Sequence, residues 1–165
     1  MSLLRFSLVV STVVFTLLAG CSKDSNNDGG TNPTPTTSYF MKATADGSAF
    51  TASEATCIAV RNMGLVAVSG SQVLGSTRQI SITLFSPEAG ATYDLGSLGS
   101  FNTATLVLGT TANDVYSVTP LSGSSGTVTV TKLDATAIEG TFSFTAANPE
   151  GASKQVTNGS FRCKF

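Results

Sequence analysis

Cys57 and Cys163 carry the most consequential chemistry in the body of this chain. Two thiols join in a disulfide only when their Cβ atoms lie about 4 Å apart. Here the bridge would close a loop of about 105 residues and stabilise by ~4–5 kcal/mol, mainly by constraining the unfolded chain. Left unpaired, the same residues would behave as two small buried hydrophobes. Sequence spacing leaves both arrangements open. The chain contains no histidine, which excludes Ser-His-Asp and Cys-His activation of a nucleophile and removes the commonest zinc ligand. Carboxylates remain. Glu88, Asp94, Asp114 and Glu139 are the acids of interest beyond turn positions, and glycoside hydrolysis would require two of them ~5–10 Å apart. Their spacing shows no convergence, and Glu139 falls on the solvent side of an alternating segment, so surface charge is the expectation. Asp24-Ser25-Asn26-Asn27-Asp28-Gly29 reproduces the first half of a calcium-binding loop, but Pro35 occupies the twelfth position, where a bidentate acid belongs. A non-catalytic chain with no metal site and no cofactor is expected.

The third thiol, Cys21, stands in a different setting. It ends Leu18-Ala19-Gly20-Cys21, directly after an apolar run from Phe6 to Leu18 that is preceded by Arg5. The run is shorter than the ~20 residues a helix needs to cross a bilayer core, and small residues precede the cleavage point as in a secretory signal. The arrangement resembles a bacterial lipoprotein signal peptide with its lipobox. That resemblance implies that residues 1–20 are removed and that Cys21 becomes the acylated first residue, a stable anchor because each buried CH₂ contributes ~0.8 kcal/mol. Residues 21–37, from Cys21 through Ser22-Lys23-Asp24 to Thr37, have no run of apolar side chains to bury and read as a disordered tether. Ser22-Lys23-Asp24 also resembles the short charged signals that send such lipoproteins to the outer face of the outer membrane. A cell-surface location is therefore expected over the periplasmic face.

Loss of residues 1–20 removes Arg5 and leaves eight basic against ten acidic side chains. No basic run or patch is present, so nucleic acid is not expected as a partner. Residues 38–165 fit a single domain large enough to bury a core without staples. There is no tryptophan, so a Trp-based sugar platform is unavailable.

The positioning elements are strands. Period-2 alternation recurs and no helical stripe of any length does. Segments 39–45 and 48–52 flank Asp46-Gly47, a strong two-residue hairpin signal. Segments 56–61 and 65–69 flank Asn62-Met63-Gly64. Ile80, Ile82 and Leu84 alternate with Ser81 and Thr83; segments 105–108 and 115–118 are short strands; 127–131 alternates strictly. Ile138, Gly140, Phe142 and Phe144 share one face, and Phe161, Cys163 and Phe165 share another. About nine or ten strands separated by Gly, Ser, Asn and Asp clusters predict an all-β fold, an antiparallel β-sandwich or flattened barrel. Ser122 to Gly126 is glycine-rich but lacks the lysine and helix of a phosphate loop, and reads as a turn.

The longest irregular stretch is Ser86 to Phe101, and long loops on a β scaffold commonly carry binding surfaces. Tyr93, Phe101, Glu88 and Asp94 are its candidate ligand-binding residues. Tyr39, Tyr93, Tyr116, Phe85 and Phe101 are the aromatics expected to reach a surface, where they could stack on sugars or peptides. Thr127, Thr129, Thr131, Thr141 and Thr145 fit solvated sheet faces; a flat array of them could also meet a polysaccharide lattice.

Feature order adds a resemblance. Met41-Lys42-Ala43-Thr44-Ala45-Asp46-Gly47-Ser48-Ala49-Phe50 opens the domain and Gly90-Ala91-Thr92-Tyr93-Asp94-Leu95 lies in its middle. Gly126 to Leu133 and Ile138 to Phe144 follow, and Val156-Thr157-Asn158-Gly159-Ser160-Phe161 comes near the close. This resembles a Bacteroidota lipoprotein family whose domain has no assigned function, with Phe50 where that family often has tryptophan. The resemblance covers residues 39–165 and implies an all-β domain in the cell envelope, with no catalytic or ligand residues to carry over. The expected protein is a lipid-anchored outer-membrane lipoprotein. It meets the membrane through Cys21 and acts as a binding or structural module for a glycan, peptide or envelope protein. The alternatives are an accessory subunit of an envelope uptake, adhesion or assembly complex and, least favoured, an enzyme.

Overall fold

Eleven strands follow one another in the computed structural model, which describes residues 38–74 and 76–165. The leader, Cys21, the tether and the calcium-loop fragment of the sequence reading lie outside the described residues. The first hairpin joins β1 (Phe40–Ala45) to β2 (Ser48–Ala52), and the second joins β3 (Cys57–Asn62) to β4 (Leu65–Leu74). Both turn on two residues with positive φ, Asp46-Gly47 at 50° and 75° and Met63-Gly64 at 47° and 82°. This is the turn geometry whose twist matches the flanking strands. Asn62 is the last residue of β3, paired with Leu65, and not part of the turn. β5 (Ser76–Phe85) pairs with β4 along its whole length, from Leu74↔Ser76 to Leu65↔Phe85. Then come β6 (Thr92–Leu95), β7 (Thr103–Val107), β8 (Val115–Ser117), β9 (Ser125–Leu133), β10 (Ala137–Ala147) and β11 (Ser153–Lys164).

Backbone pairing is continuous in the order β2-β1-β11-β3-β4-β5-β7-β8-β10-β9-β6, with β11 also paired to β10. At two places it narrows to one residue pair, Lys164↔Ile58 between β11 and β3 and Ala147↔Ser117 between β10 and β8. These two corners separate a six-strand layer, β2-β1-β11-β10-β9-β6, from a five-strand layer, β3-β4-β5-β7-β8. The result is an all-β flattened barrel or sandwich. The β11–β3 pair is parallel and every other pairing is antiparallel. The strand count exceeds the expected nine or ten because β6 lies inside Ser86 to Phe101, the stretch read as irregular. It is only four residues long and carries one fully buried side chain, Leu95, so its alternation is too brief to register.

The two layers meet through the inward half of each alternation. Met41, Phe50, Ile138, Phe142, Phe144, Val156 and Phe161 come from the larger layer, and Val68, Ile80, Ile82, Leu84 and Leu106 from the smaller. Gly70 on β4 sits where an added Cβ would lie 2.9 Å from Met41 Cβ and 3.0 Å from Ala52 Cβ, so the layers touch backbone to side chain there. Among the described residues the buried core runs from Met41 to Cys163; the domain carries its own core.

Of the two arrangements open to the thiols, the structure has the bridge. Cys57 and Cys163 are disulfide-bonded with Cα atoms 5.2 Å apart, tying the start of β3 to the end of β11 at the first corner. At the second corner, buried Asn148 donates from Nδ2 to the Asn113 carbonyl at 3.1 Å, and its Oδ1 accepts from the Glu150 and Ala152 amides.

Candidate functional site

The four candidate residues of the Ser86–Phe101 stretch do not converge. Once 92–95 is a strand, successive side chains point to opposite faces. Tyr93 turns inward against the core, and its hydroxyl accepts from the Glu88 backbone amide at 2.7 Å. Asp94 turns outward beside Thr127 on β9. The Glu88 side chain is exposed. Phe101 lies beyond the strand, against Phe85, with ring centroids 5.7 Å apart. Among the surface aromatics expected, Tyr116 is a correction: at 8% exposure it belongs to the core, because the alternation of β8 puts it on the inner face between Val115 and Ser117. Tyr39 is half-buried under the Arg162 guanidinium, 5.8 Å from its ring centroid.

The candidate acids are each committed locally. Asp114 accepts from the Thr111 hydroxyl at 2.7 Å and the Thr111 amide at 3.0 Å, which holds its carboxyl below the usual range. Glu139 lies 3.4 Å from Arg162 and 3.6 Å from Lys132. Among the described residues no group of three or more His, Cys, Asp or Glu side chains could hold a metal ion.

Two surfaces remain. The first is the outer face of the six-strand layer. Cross-strand pairing lines up Thr51, Lys42, Ser160, Thr141, Thr129 and Thr92 in one row, and Asp94, Thr127 and Ser143 in the next. Two shallow grooves of about 450 and 480 Å³ lie over these rows. The face offers hydroxyl groups, some of them bonded to each other, as Thr92 and Thr129 are at 2.9 Å. It carries no exposed aromatic platform against which a sugar ring could stack.

The second surface is apolar and was not assembled by sequence reasoning. Nine large apolar side chains are exposed among the described residues, and seven of them lie on β3, the β3–β4 turn, the first residue of β4, the end of β5 or the loop after β6: Ile58, Val60, Met63, Leu65, Phe85, Leu98 and Phe101. Met63 is 94% exposed, Phe101 71% and Phe85 49%. Leu65 is directly opposite Phe85 in the β4–β5 ladder, and Phe85 leans on Phe101. The loop holds its place because the Phe85 amide donates to Asn102 Oδ1 at 2.9 Å. Scattered exposed apolar residues mean little, whereas a contiguous group marks an interaction surface. The signal available in the sequence was Met63 itself, a long apolar side chain at a turn position that Gly, Asn and Asp usually take.

A groove of about 290 Å³ connects this patch to a cationic end of the domain; Arg61, Met63, Leu65, Pro87 and Leu133 are among its walls. Arg61 lies 3.8 Å over the Phe165 ring and donates to the Asp134 carbonyl. Phe165 in turn donates its amide to Thr136 at 3.1 Å. Phe40, where β1 begins, is opposite Arg162 on β11. The point at which the chain enters the domain, the last residues of β11, the β9–β10 turn and the β3–β4 turn therefore share one end. Lys42, Arg61, Lys132 and Lys164 are exposed there.

Asp134 anchors that end and makes it acid-sensitive. Its Oδ1 accepts from the Thr136 hydroxyl at 2.7 Å and from the Thr136 and Ala137 amides at 2.8 and 3.0 Å, and Lys132 lies 3.0 Å from Oδ2. The Thr136 hydroxyl, then the Lys132 ammonium, hold its carboxyl far below the usual carboxylate range. A lowered folded-state pKa gives stability that is present above the unfolded value of about 3.9 and lost as pH falls through the folded value. Thermal melts from pH 7 down to pH 2 are expected to show Asp134→Asn less stable than the parent at neutral pH, with the gap closing below about pH 4. A gap that persisted undiminished at pH 2 would mean the loss is steric and not ionic.

Eleven strands in two layers, a bridged corner and an apolar end define an all-β domain of the sandwich or flattened-barrel type. The chain belongs to the family described as Domain of unknown function (DUF6252), whose model spans residues 37–163. No curated protein and no solved structure gives a significant match to the chain.

Proposed function

We propose that this chain is a Bacteroidota lipoprotein, held in the outer membrane by acyl chains on Cys21 and displayed at the cell surface, whose β domain is a non-catalytic binding or structural module. The observation that supports a binding role is the grouping of exposed Met63, Leu65, Phe85 and Phe101, with Leu65 opposite Phe85 and Phe85 against Phe101. Water contact at such a patch is unfavourable by about 25 cal/mol per Å² of apolar surface, which covering by a partner would relieve. The non-catalytic reading is supported by the lack of histidine and by the local engagement of Asp114 and Glu139. The anchored reading is supported by Leu18-Ala19-Gly20-Cys21 and the apolar run before it.

Intact-mass measurement of the protein extracted from membranes tests the anchor. The expected species begins at Cys21 and carries a diacylglyceryl group, and Cys21→Ala should abolish it. A mature chain beginning elsewhere without lipid would overturn the reading. Protease shaving of whole cells tests the display. Loss of the domain while a periplasmic control survives is expected; protection until lysis would place it inside.

A further inference from the structure

We infer that the Met63–Phe85–Phe101 end docks on the bilayer that holds the anchor. Its apolar tips enter the boundary between headgroups and acyl chains, and Lys42, Arg61, Lys132 and Lys164 meet anionic headgroups around them. The inference rests on the anchored reading of Cys21 and names the partner of the apolar surface.

Three observations carry it. The first is where the chain enters. β1 begins at Phe40, opposite Arg162, and Lys164 two residues on pairs with Ile58 of the apolar group. The sixteen residues from Ser22 to Thr37 cannot exceed about 60 Å even fully extended. An anchor at Cys21 therefore presents this end to the membrane at high effective concentration, on the order of millimolar for short linkers, so that weak intrinsic affinity suffices.

The second is the chemistry of the end. Tyr39, Phe40, Phe85, Phe101 and Phe165 stand among four exposed cations, with Lys42 5.2 Å from the Phe40 ring and Arg61 3.8 Å from the Phe165 ring. Aromatic rings mixed with Lys and Arg are the side chains of a membrane–water boundary. The acids of this end are Asp134, Glu139, Glu88 and Glu54, which lies between the end of β2 opposite Met41 and the bridged Cys57; Asp134 and Glu139 lie against Lys132 and Arg162. The domain's remaining cations lie elsewhere: Arg78 donates to the Ala45 and Ala49 carbonyls, and Lys154 pairs with Asp46 at 2.5 Å.

The third is shape. Met63, at the open groove beside Arg61 and Leu65, and Phe101 stand out from a turn and a loop, and neither side chain carries a hydrogen-bonding group that would orient a sugar. Met63 holds φ at +47°, a region where Asn is favoured and long apolar residues are uncommon. An apolar residue kept in a costly conformation at a fully exposed tip points to a use for the tip.

The test uses the chain from Ser22 onward, which lacks the anchor and keeps the whole core. It is sedimented with vesicles of phosphatidylethanolamine and phosphatidylglycerol. Partition into the pellet is expected, falling about tenfold in M63N/F101S and falling further with salt for the parent but less so for K42E/K164E. M63N alone should melt no lower than the parent, because Asn suits the turn; weakened vesicle binding without lost stability is not what a purely structural Met63 would give. No partition, partition untouched by M63N/F101S, or a patch-dependent dimer in place of vesicle binding would each overturn the inference. Because the anchor is absent, none of these outcomes touches acylation of Cys21, and an unacylated Cys21 would leave the vesicle result standing.

Discussion

Replacing Cys57 and Cys163 together by alanine is expected to cost about 4–5 kcal/mol, about a third or more of the stability of an ordinary domain. The size follows from the separation of 106 residues, which makes the loop in the unfolded chain nearly as long as the domain itself. Position adds to the effect. β11 and β3 share only the Lys164↔Ile58 backbone pair, so without the bridge little covalent or hydrogen-bonded structure joins the two layers at that corner. Alanine is the better probe than serine, because both positions are buried and a hydroxyl there would add the cost of an unpaired polar group. Denaturant unfolding of the double variant, and of the parent with and without reductant, measures the loss. The opposite corner should be less affected, since Asn148 holds it through its own side chain. An unchanged midpoint in the double variant would show that packing of Met41 and Ala52 on Gly70 holds the layers without the bridge.

How much of this was legible in the sequence depends on the length of each interaction. The hairpins at Asp46-Gly47 and Met63-Gly64 were, because local turn chemistry sets both. The inward face of β10 was also, since Phe142 and Phe144 alternate with Thr141, Ser143 and Thr145 over a long strand. The order of strands was not. β1 against β11, β5 against β7 and β6 against β9 are pairings across long separations, chosen by how side chains fit between layers. The candidate site was read as one loop, and the four-residue strand inside it sends Tyr93 inward and Asp94 outward. The apolar end was missed because Ile58 and Val60 alternate with Cys57 and Ala59. A strand apolar on both faces looks wholly buried until a neighbouring layer is found on only one of them.

Phe161→Ala is expected to cost about 3–5 kcal/mol, and the reason lies in a pattern of three phenylalanines set against three glycines. On the inner face of β9, β10 and β11, Gly140 is opposite Phe161, Gly159 opposite Phe142 and Gly126 opposite Phe144. A Cβ at Gly159 would lie 2.5 Å from Phe142 Cδ2, and one at Gly140 would lie 2.8 Å from Phe161 Cζ and press on the Thr129 carbonyl. Each ring covers a bare stretch of backbone, an arrangement in which an aromatic compensates for glycine in a strand. Phe161 is 2% exposed and also packs on Phe142, centroids 6.1 Å apart, so truncation opens a cavity bordered by rigid backbone that cannot collapse into it. Gly140→Ala is expected to cost about 1–3 kcal/mol by overpacking. In the double variant the added methyl would occupy space the ring has left, so the two losses should sum to less than their total by on the order of 1 kcal/mol. Equilibrium unfolding of the parent, both singles and the double closes that cycle. Strict additivity would show that the Thr129 carbonyl, and not the Phe161 ring, is what requires glycine at position 140.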